Sequence, residues 1–480
     1  MSTSSENREF LHFTGTYTDL YQLTMAQAYF MQGRCKDHRA VFDYFFRKLP
    51  FNGGYAVFAG LESLLEALEN LQFDRYDLEY LKAQGFDSGF LHYLDQFRFR
   101  GNVFSSLEGD LIFPVRPILS IEANIIEAQI VETLLLNILN FQTLIATKAR
   151  RMRSVAGNRV LIDFGLRRAH GPGGYYAARA AIVGGFNGTS NVLAGRDFDV
   201  PISGTMAHSF VESYDEEISA FRDFAQTFPE NSVMLVDTYN TLESGVPNAI
   251  IVGKEMEKSG HRLKGIRLDS GDLAYLAKQT RKMLDDAGLH YVKIVVSDVL
   301  DEHVIKSLLE QGAPIDVFGV GTKLVIGHPD AALDGVYKLA YYDEQPRLKL
   351  SESLTKVTIP YKKQVYRVLD ESGNFAGADV VATIEEKSEY IKIMCHPFEA
   401  LMSMHIGQAT KEPLLFPVMK EGKRIAEPQH LNNLAAFCQS RFNKLPDEYK
   451  RFENPHIYKI GLSQELKEKR DKLILMHQKK

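Results

Sequence analysis

The chain has 480 residues, of which 45% are apolar and 24% charged, with a net charge of −5. That composition belongs to a globular protein of two or three domains with a large core. It contains no long basic run, which argues against a nucleic-acid partner. No apolar run approaches the roughly 18 residues that a membrane span needs. The start, Met1-Ser-Thr-Ser-Ser-Glu-Asn-Arg, has no hydrophobic signal region. Cys35, Cys395 and Cys438 are few, odd in number and far apart, which argues against a disulfide framework or zinc site and for a reducing compartment. The expectation is a cytoplasmic, enzyme-sized protein.

In chain order, Thr18 or Asp19 can cap a helix running into Met25 and Tyr29. Tyr21 and Asp19 read either as functional groups or as core aromatic and cap. Ala40-Val-Phe-Asp-Tyr-Phe-Phe has strong β-propensity, and Leu49-Pro-Phe-Asn-Gly-Gly reads as a turn. Helical patterns follow at 60–70, 76–84 and 88–95, then short strands over 101–125, giving a mixed α+β unit. One long helix is expected from Glu127 to Arg153, with a basic end suited to a helix C-terminus.

From residue 158 short apolar runs alternate with helical stretches. The runs are Val160–Phe164, Ala181–Gly184, Val233–Val236, Gly265–Leu268, Lys293–Ser297 and Ile315–Gly319. Repeated βα units imply a parallel sheet, and their number favours a barrel over an open doubly wound sheet without settling it. Polar or glycine-rich residues follow every run: Gly165-Leu-Arg167-Arg168, Gly185-Phe-Asn-Gly-Thr-Ser190-Asn191, Asp237-Thr238, Asp269-Ser-Gly-Asp272, Asp298 and Gly319-Val-Gly321-Thr322. In a parallel sheet these ends share one edge, where ligands bind. Loop glycines and caps would also fall there. An arginine at one strand end and acids on three successive ones go beyond that.

Between the second and third runs lies Pro201-Ile-Ser-Gly-Thr-Met-Ala-His208-Ser-Phe-Val211. Gly204 and Thr205 are good helix-start residues, and His208 would fall in the first turns. A histidine there reads as structural or as a phosphate-accepting nucleophile. Gly319-x-Gly321-Thr322 can cradle phosphate through backbone N–H groups. Neither a full dinucleotide fingerprint nor a Walker A loop is present. Arg267 can hold phosphate and Asp269 a ribose diol, with Asp269 or Asp272 as helix cap in the plainer reading. Phe164 beside Arg167 offers an aromatic face and a carboxylate-matching fork. Together these describe a site for a phosphorylated ribose, an aromatic acid and a phosphohistidine. Beyond 325, Tyr337–Tyr342, Arg347–Leu350 and Gln364–Leu369 read as strands, and 426–445 and 463–477 as helices.

Thr18-Asp-Leu-Tyr-Gln-Leu-Thr-Met25, Asp163-Phe-Gly-Leu-Arg-Arg168, Gly184-Gly-Phe-x-x-Thr-Ser-Asn-Val-Leu-Ala-Gly195, Gly204-Thr-Met-Ala-His-Ser209, Val236-Asp-Thr-Tyr-Asn240, Arg267-Leu-Asp-Ser-Gly-Asp272 and Phe318-Gly-Val-Gly-Thr322 occur in this order. The set resembles the nicotinate phosphoribosyltransferase family over almost the whole chain. The resemblance implies an α/β fold: an irregular parallel barrel of phosphoribosyltransferase type over 126–349, with a flanking α+β domain built from 1–125 and 350–480. It implies an ATP-dependent enzyme of NAD salvage, classed as a ligase. Such an enzyme forms nicotinate mononucleotide and pyrophosphate from nicotinate and phosphoribosyl pyrophosphate, with Mg²⁺, in a homodimer with shared active sites.

By position, His208 matches the family's phosphorylated histidine and Asp237 the acid that orients it. Phe164 and Tyr21 match aromatics sandwiching the pyridine, Tyr21 arriving from the neighbouring subunit. Arg167 matches the arginine near the ring carboxylate, and Arg267 and Asp269 match phosphate and ribose contacts. Asp298, Gly319, Gly321 and Thr322 match the region holding ribose and 5′-phosphate. No direct protein ligand to the metal is expected, and ATP is expected in the donor's pocket. The related nicotinamide enzymes place an aspartate about where Ser190 lies. The uncharged Thr189-Ser190-Asn191 favours a carboxylate-bearing ring. The alternatives are a nicotinamide phosphoribosyltransferase and a non-catalytic nucleotide-binding protein on the same fold.

Overall fold

The computed structural model describes residues 13–34, 39–351, 357–399 and 401–478. Cys35 and the first twelve residues, with the segment Met1–Arg8, lie outside the described residues. The chain divides into two compact units, one of residues 1–147 with 332–480 and one of residues 148–331. Among the described residues no helix is long and apolar enough to cross a membrane. Neither described cysteine, Cys395 or Cys438, forms a disulfide.

The first unit is built on mainly antiparallel sheets, with one parallel pair, Phe375–Thr383 against Lys459–Ser463. Strand Arg39–Phe46, alternating into one core, pairs on one side with Gly335–Tyr342 and on the other with Leu119–Asn124. The helices Leu61–Asn70, Arg75–Ala83 and Ser88–Asp95 bury leucines and Phe90 in that core. Asp74 and Asp87 cap the last two by accepting from the N–H groups of Asp77 and Phe90. A second sheet holds Lys363–Leu369 against Phe375–Thr383. Its Arg367, fully buried, is held by Asp110 at 2.9 Å and Asp379 at 3.1 Å. Buried cations persist only with such partners.

The expected long helix is two. Ile125–Ile130 and Glu132–Ala156 are separated by a turn at Val131. Arg347–Leu350, expected as a strand, is not one: among the described residues Gln345–Pro346 pairs with Tyr341 and Tyr342, and the Arg347 N–H donates to the Ala340 carbonyl at 2.9 Å.

The second unit carries one six-stranded sheet with all pairs parallel. The order is Gly188–Thr189, Val160–Asp163, Val317–Val320, Lys293–Val296, Gly265–Leu268, Val233–Leu235. Five of its strands are short, largely apolar runs, as buried parallel strands are. The outer strands Gly188–Thr189 and Val233–Leu235 are not paired with each other among the described residues, so the barrel is irregular. Ala181–Gly184 is not a strand. Ala181–Val183 form the last turn of helix Gly173–Val183, which is buried from Ala177 onward, and Gly184 follows as its C-cap. A run buried on every side has no amphipathic period to mark it as helix. Because every strand runs the same way, all six C-terminal ends lie at one edge.

Candidate active site

Arg267 organises that edge. It is the third residue of its strand, and Asp269 just beyond keeps the same alternation, so both side chains project together. Arg267 Nη2 lies 3.0 Å from Asp269 Oδ1. Arg267 Nε donates to Ser297 Oγ at 2.7 Å, and Nη1 donates to Thr205 Oγ1 at 3.2 Å and to the Met206 carbonyl at 3.4 Å. Ser297 Oγ in turn donates to Asp269 Oδ1. The guanidinium therefore fixes the loop before His208 to the ends of two strands.

His208 begins a helix of five residues, His208–Glu212, with Ala207 as a cap that offers no side chain. The Gly204-Thr205 start expected from sequence does not form, because Thr205 Oγ1 accepts from Arg267 instead of capping. His208 Nδ1 shares a hydrogen bond with Thr238 Oγ1 at 3.1 Å. Its Nε2 faces Asp269 Oδ2 at 3.8 Å, and the side chain is 40% exposed.

Asp237 sits behind this pair. Its Oδ2 accepts from the Asp269 N–H at 2.8 Å and from Ser270 Oγ at 2.7 Å. Its Oδ1 is buried without a hydrogen-bond partner among the described residues. Asp237 thus reaches the histidine through Asp269, and Thr238 holds the ring directly.

On the other side of Arg267 lies Phe164, its ring centre 5.5 Å from the guanidinium carbon. Gly319 makes room for it, since a Cβ there would stand 2.4 Å from Phe164 Cε2. Asp163, just before Phe164, is 1% exposed. Its Oδ1 accepts from the Gly165 N–H and its Oδ2 from Thr189 Oγ1, both at 2.8 Å. Burial pushes its carboxyl up to about 6, against the opposing effect of those two hydrogen bonds. The Ser190 N–H donates to the Asp163 carbonyl at 2.8 Å. Asn191 caps helix Val192–Phe198 through the Ala194 N–H at 3.2 Å. Arg167 is exposed in the single turn Leu166–Arg168.

Asp298 ends the strand Lys293–Val296 two residues on, exposed, with φ of +121°. That region is open to glycine and strained for aspartate. Gly321 precedes the turn of helix Thr322–Val325. Lys323 there binds Asp301 Oδ2 at 2.6 Å, which joins the loops after two neighbouring strands. Burial alone would raise the Asp301 carboxyl, but the Lys323 ammonium and the Val304 N–H hold it below the usual range. Tyr21 belongs to the other unit, where it is half exposed on the first turn of helix Leu20–Met31.

The structure therefore brings together His208, Asp237, Arg267, Asp269 and Phe164. Thr205, read as a helix start, and Thr238, Ser270 and Ser297 are not among the site residues expected from sequence, although each lies within three residues of one that is. Among the described residues, no group of three or more His, Cys, Asp or Glu side chains is arranged to hold a metal ion.

An arginine, a histidine and paired carboxylates at the C-terminal edge of a parallel sheet define an α/β protein that handles an anionic, hydroxylated ligand. Residues 16–140, 160–359 and 362–470 match the N-terminal domain, the family proper and the C-terminal domain of nicotinate phosphoribosyltransferase. The chain belongs to this family. The nicotinate phosphoribosyltransferase of Bacillus subtilis (strain 168) is 44% identical to it over 94% of this chain and 93% of its own. That of Dictyostelium discoideum is 36% identical over 94% and 87%. The crystal structure of human nicotinic acid phosphoribosyltransferase superposes with a TM-score of 0.85 at 31% identity, covering 95% of this chain and 99% of that one. The irregular α/β barrel expected from sequence is the fold they share.

Proposed function

We infer that this protein is a nicotinate phosphoribosyltransferase, an enzyme of NAD biosynthesis. It forms nicotinate mononucleotide and pyrophosphate from nicotinate and phosphoribosyl pyrophosphate. The observation that carries this reading is the Arg267–Asp269–His208 cluster at the strand ends of a chain of this family.

The pyridine nitrogen's lone pair forms a bond to C1 of the ribose as the C1–O bond to pyrophosphate breaks, and the bonding electrons leave with pyrophosphate. Charge develops at C1 and on the leaving group, so the protein's task is positioning and electrostatics. Phe164 and the partner subunit's Tyr21 hold the ring between them, in a homodimer with shared sites. Arg167 takes the ring carboxylate, and the neutral Ser190 and Asn191 supply donors there. An acid at that loop would repel it. Arg267 holds phosphate and Asp269 the ribose hydroxyls. Asp298, Gly319, Gly321 and Thr322 hold ribose and 5′-phosphate.

ATP hydrolysis is coupled to this transfer through His208. With Nδ1 bonded to Thr238, Nε2 is the nitrogen that attacks the γ-phosphorus. The bond to ADP breaks and ADP leaves. Water later cleaves the P–N bond to give phosphate and restore the histidine. The charge added beside Arg267 and Asp269 alters affinity for the donor. ATP uses the donor's pocket, as no Walker loop is present.

The Asp237 carboxylate suits a Mg²⁺ ion that would come with the pyrophosphate and keep most of its waters. Asp237, with one buried oxygen lacking a hydrogen-bond partner among the described residues, would face it through those waters. Bound there, Mg²⁺ supplies neutralisation of the leaving group. The protein works in the cytoplasm.

His208→Ala tests the coupling. It abolishes nicotinate-dependent ATP hydrolysis while nicotinate and donor binding remain measurable by calorimetry. Hydrolysis that persists in this variant would overturn the phosphohistidine assignment.

A further inference from the structure

We propose that Asp163 is the positioning residue of the pyridine subsite: one buried carboxylate that fixes the Phe164–Arg168 turn against the Thr189–Asn191 loop. This rests on the reading of that edge as a nicotinate site.

Three bonds make the clamp. Oδ1 takes the Gly165 N–H at 2.8 Å, Oδ2 takes Thr189 Oγ1 at 2.8 Å, and the Asp163 carbonyl takes the Ser190 N–H at 2.8 Å. Thr189 Oγ1 accepts from the Asn191 N–H at 3.0 Å, so the restraint runs on into the loop. The turn is pinned from elsewhere too. The Phe164 N–H donates to the Val320 carbonyl at 2.8 Å, and a Cβ on Gly165 would stand 2.0 Å from Val325 Cγ1. The turn therefore has no slack towards Val325, and the carboxylate sets its remaining direction.

Among the described residues, no cation is a hydrogen-bond partner of Asp163, although its side chain is sealed from solvent. Burying a carboxylate without a counter-charge is costly. A neutral side chain could fill the space, so what the carboxylate adds is two acceptors aimed at two different elements. Those elements bear Phe164 and Arg167 on one side and Ser190 on the other, the groups assigned to the ring and its carboxylate. Sites are held this way where small displacements matter.

The test is steady-state kinetics on the full-length protein with Asp163→Asn and Thr189→Val, each with nicotinate and phosphoribosyl pyrophosphate varied in turn. Asn keeps the acceptor for Gly165 and loses the one for Thr189. Val removes the same bond from the other end. Both variants raise KM for nicotinate roughly tenfold, the order expected for one lost buried hydrogen bond, and leave KM for the donor within about twofold. Where Asp163→Asn does not fold, Thr189→Val decides alone. Unchanged KM for nicotinate, or equal rises for both substrates, would overturn the proposal and leave Asp163 a stitch between strands. A wild-type enzyme that converts no nicotinate would instead overturn the underlying reading, and the two failures are read in separate arms.

Discussion

Lys148 Nζ lies 2.6 Å from Glu302 Oε2, and each side chain is only 1% exposed. Arg151 Nε reaches the other oxygen of the same carboxylate at 2.7 Å. The preceding residue, Asp301, caps helix Glu302–Glu310 and holds Lys323. A chain of ion pairs thus runs from the end of the long helix to the loops bearing Asp298 and Thr322. Glu302→Gln leaves two buried cations facing a neutral amide, and the cost is about 3–5 kcal/mol. Chemical denaturation measures it as a lower midpoint. A change of less than about 1 kcal/mol, the size typical of exposed pairs, would show the pair to be dispensable.

Asp298 illustrates strain kept at a working site. Its φ of +121° costs on the order of 1–3 kcal/mol in an aspartate. Asp298→Gly relieves that strain, so stability is unchanged or higher by about 1 kcal/mol after the greater chain entropy of glycine is counted. Turnover falls, because the carboxylate is lost. Denaturation midpoints and kcat/KM, measured on one preparation, separate the two effects. A fall in both would mean that the conformation is not strained.

Asp163 also gives stability a pH dependence. Its folded value of about 6 lies above the ordinary 3.8. The native state therefore holds a proton that the unfolded chain has released. The contribution is fully present below 3.8 and is lost as pH rises through about 6, on the order of 3 kcal/mol in all. Asp163→Asn removes this dependence. The stability of wild type relative to the variant falls between pH 4 and 7, as measured by urea denaturation at a series of pH values. A difference that does not vary with pH would contradict the account.

The parallel sheet was legible because five of its strands are compact, largely apolar runs ending in polar or glycine-rich loops. Gly265–Leu268 falls where expected, and Val160–Asp163, Val233–Leu235, Lys293–Val296 and Val317–Val320 differ only at their ends. The sixth, Gly188–Thr189, is two residues long and carries no propensity to detect. Ala181–Val183 took its place because a buried helix turn and a buried strand look alike in sequence. The same limit holds at the site. Arg267, Asp269 and His208 stand out by charge and position. Thr238, Ser297 and Thr205 bind them through hydroxyls, and a serine or threonine after a strand reads equally well as a cap or turn residue. The route from Asp237 to His208 by way of Asp269 depends on where two loops cross, which spacing along the chain does not encode.

The central claim is that this edge joins nicotinate to a phosphoribosyl donor and draws on ATP through His208. The most direct test supplies phosphoribosyl pyrophosphate and Mg²⁺ with either nicotinate or nicotinamide, each with and without ATP, and follows mononucleotide and ADP. The account predicts mononucleotide from nicotinate alone, increased by ATP and accompanied by ADP. Product from nicotinamide, or from neither substrate, would contradict it.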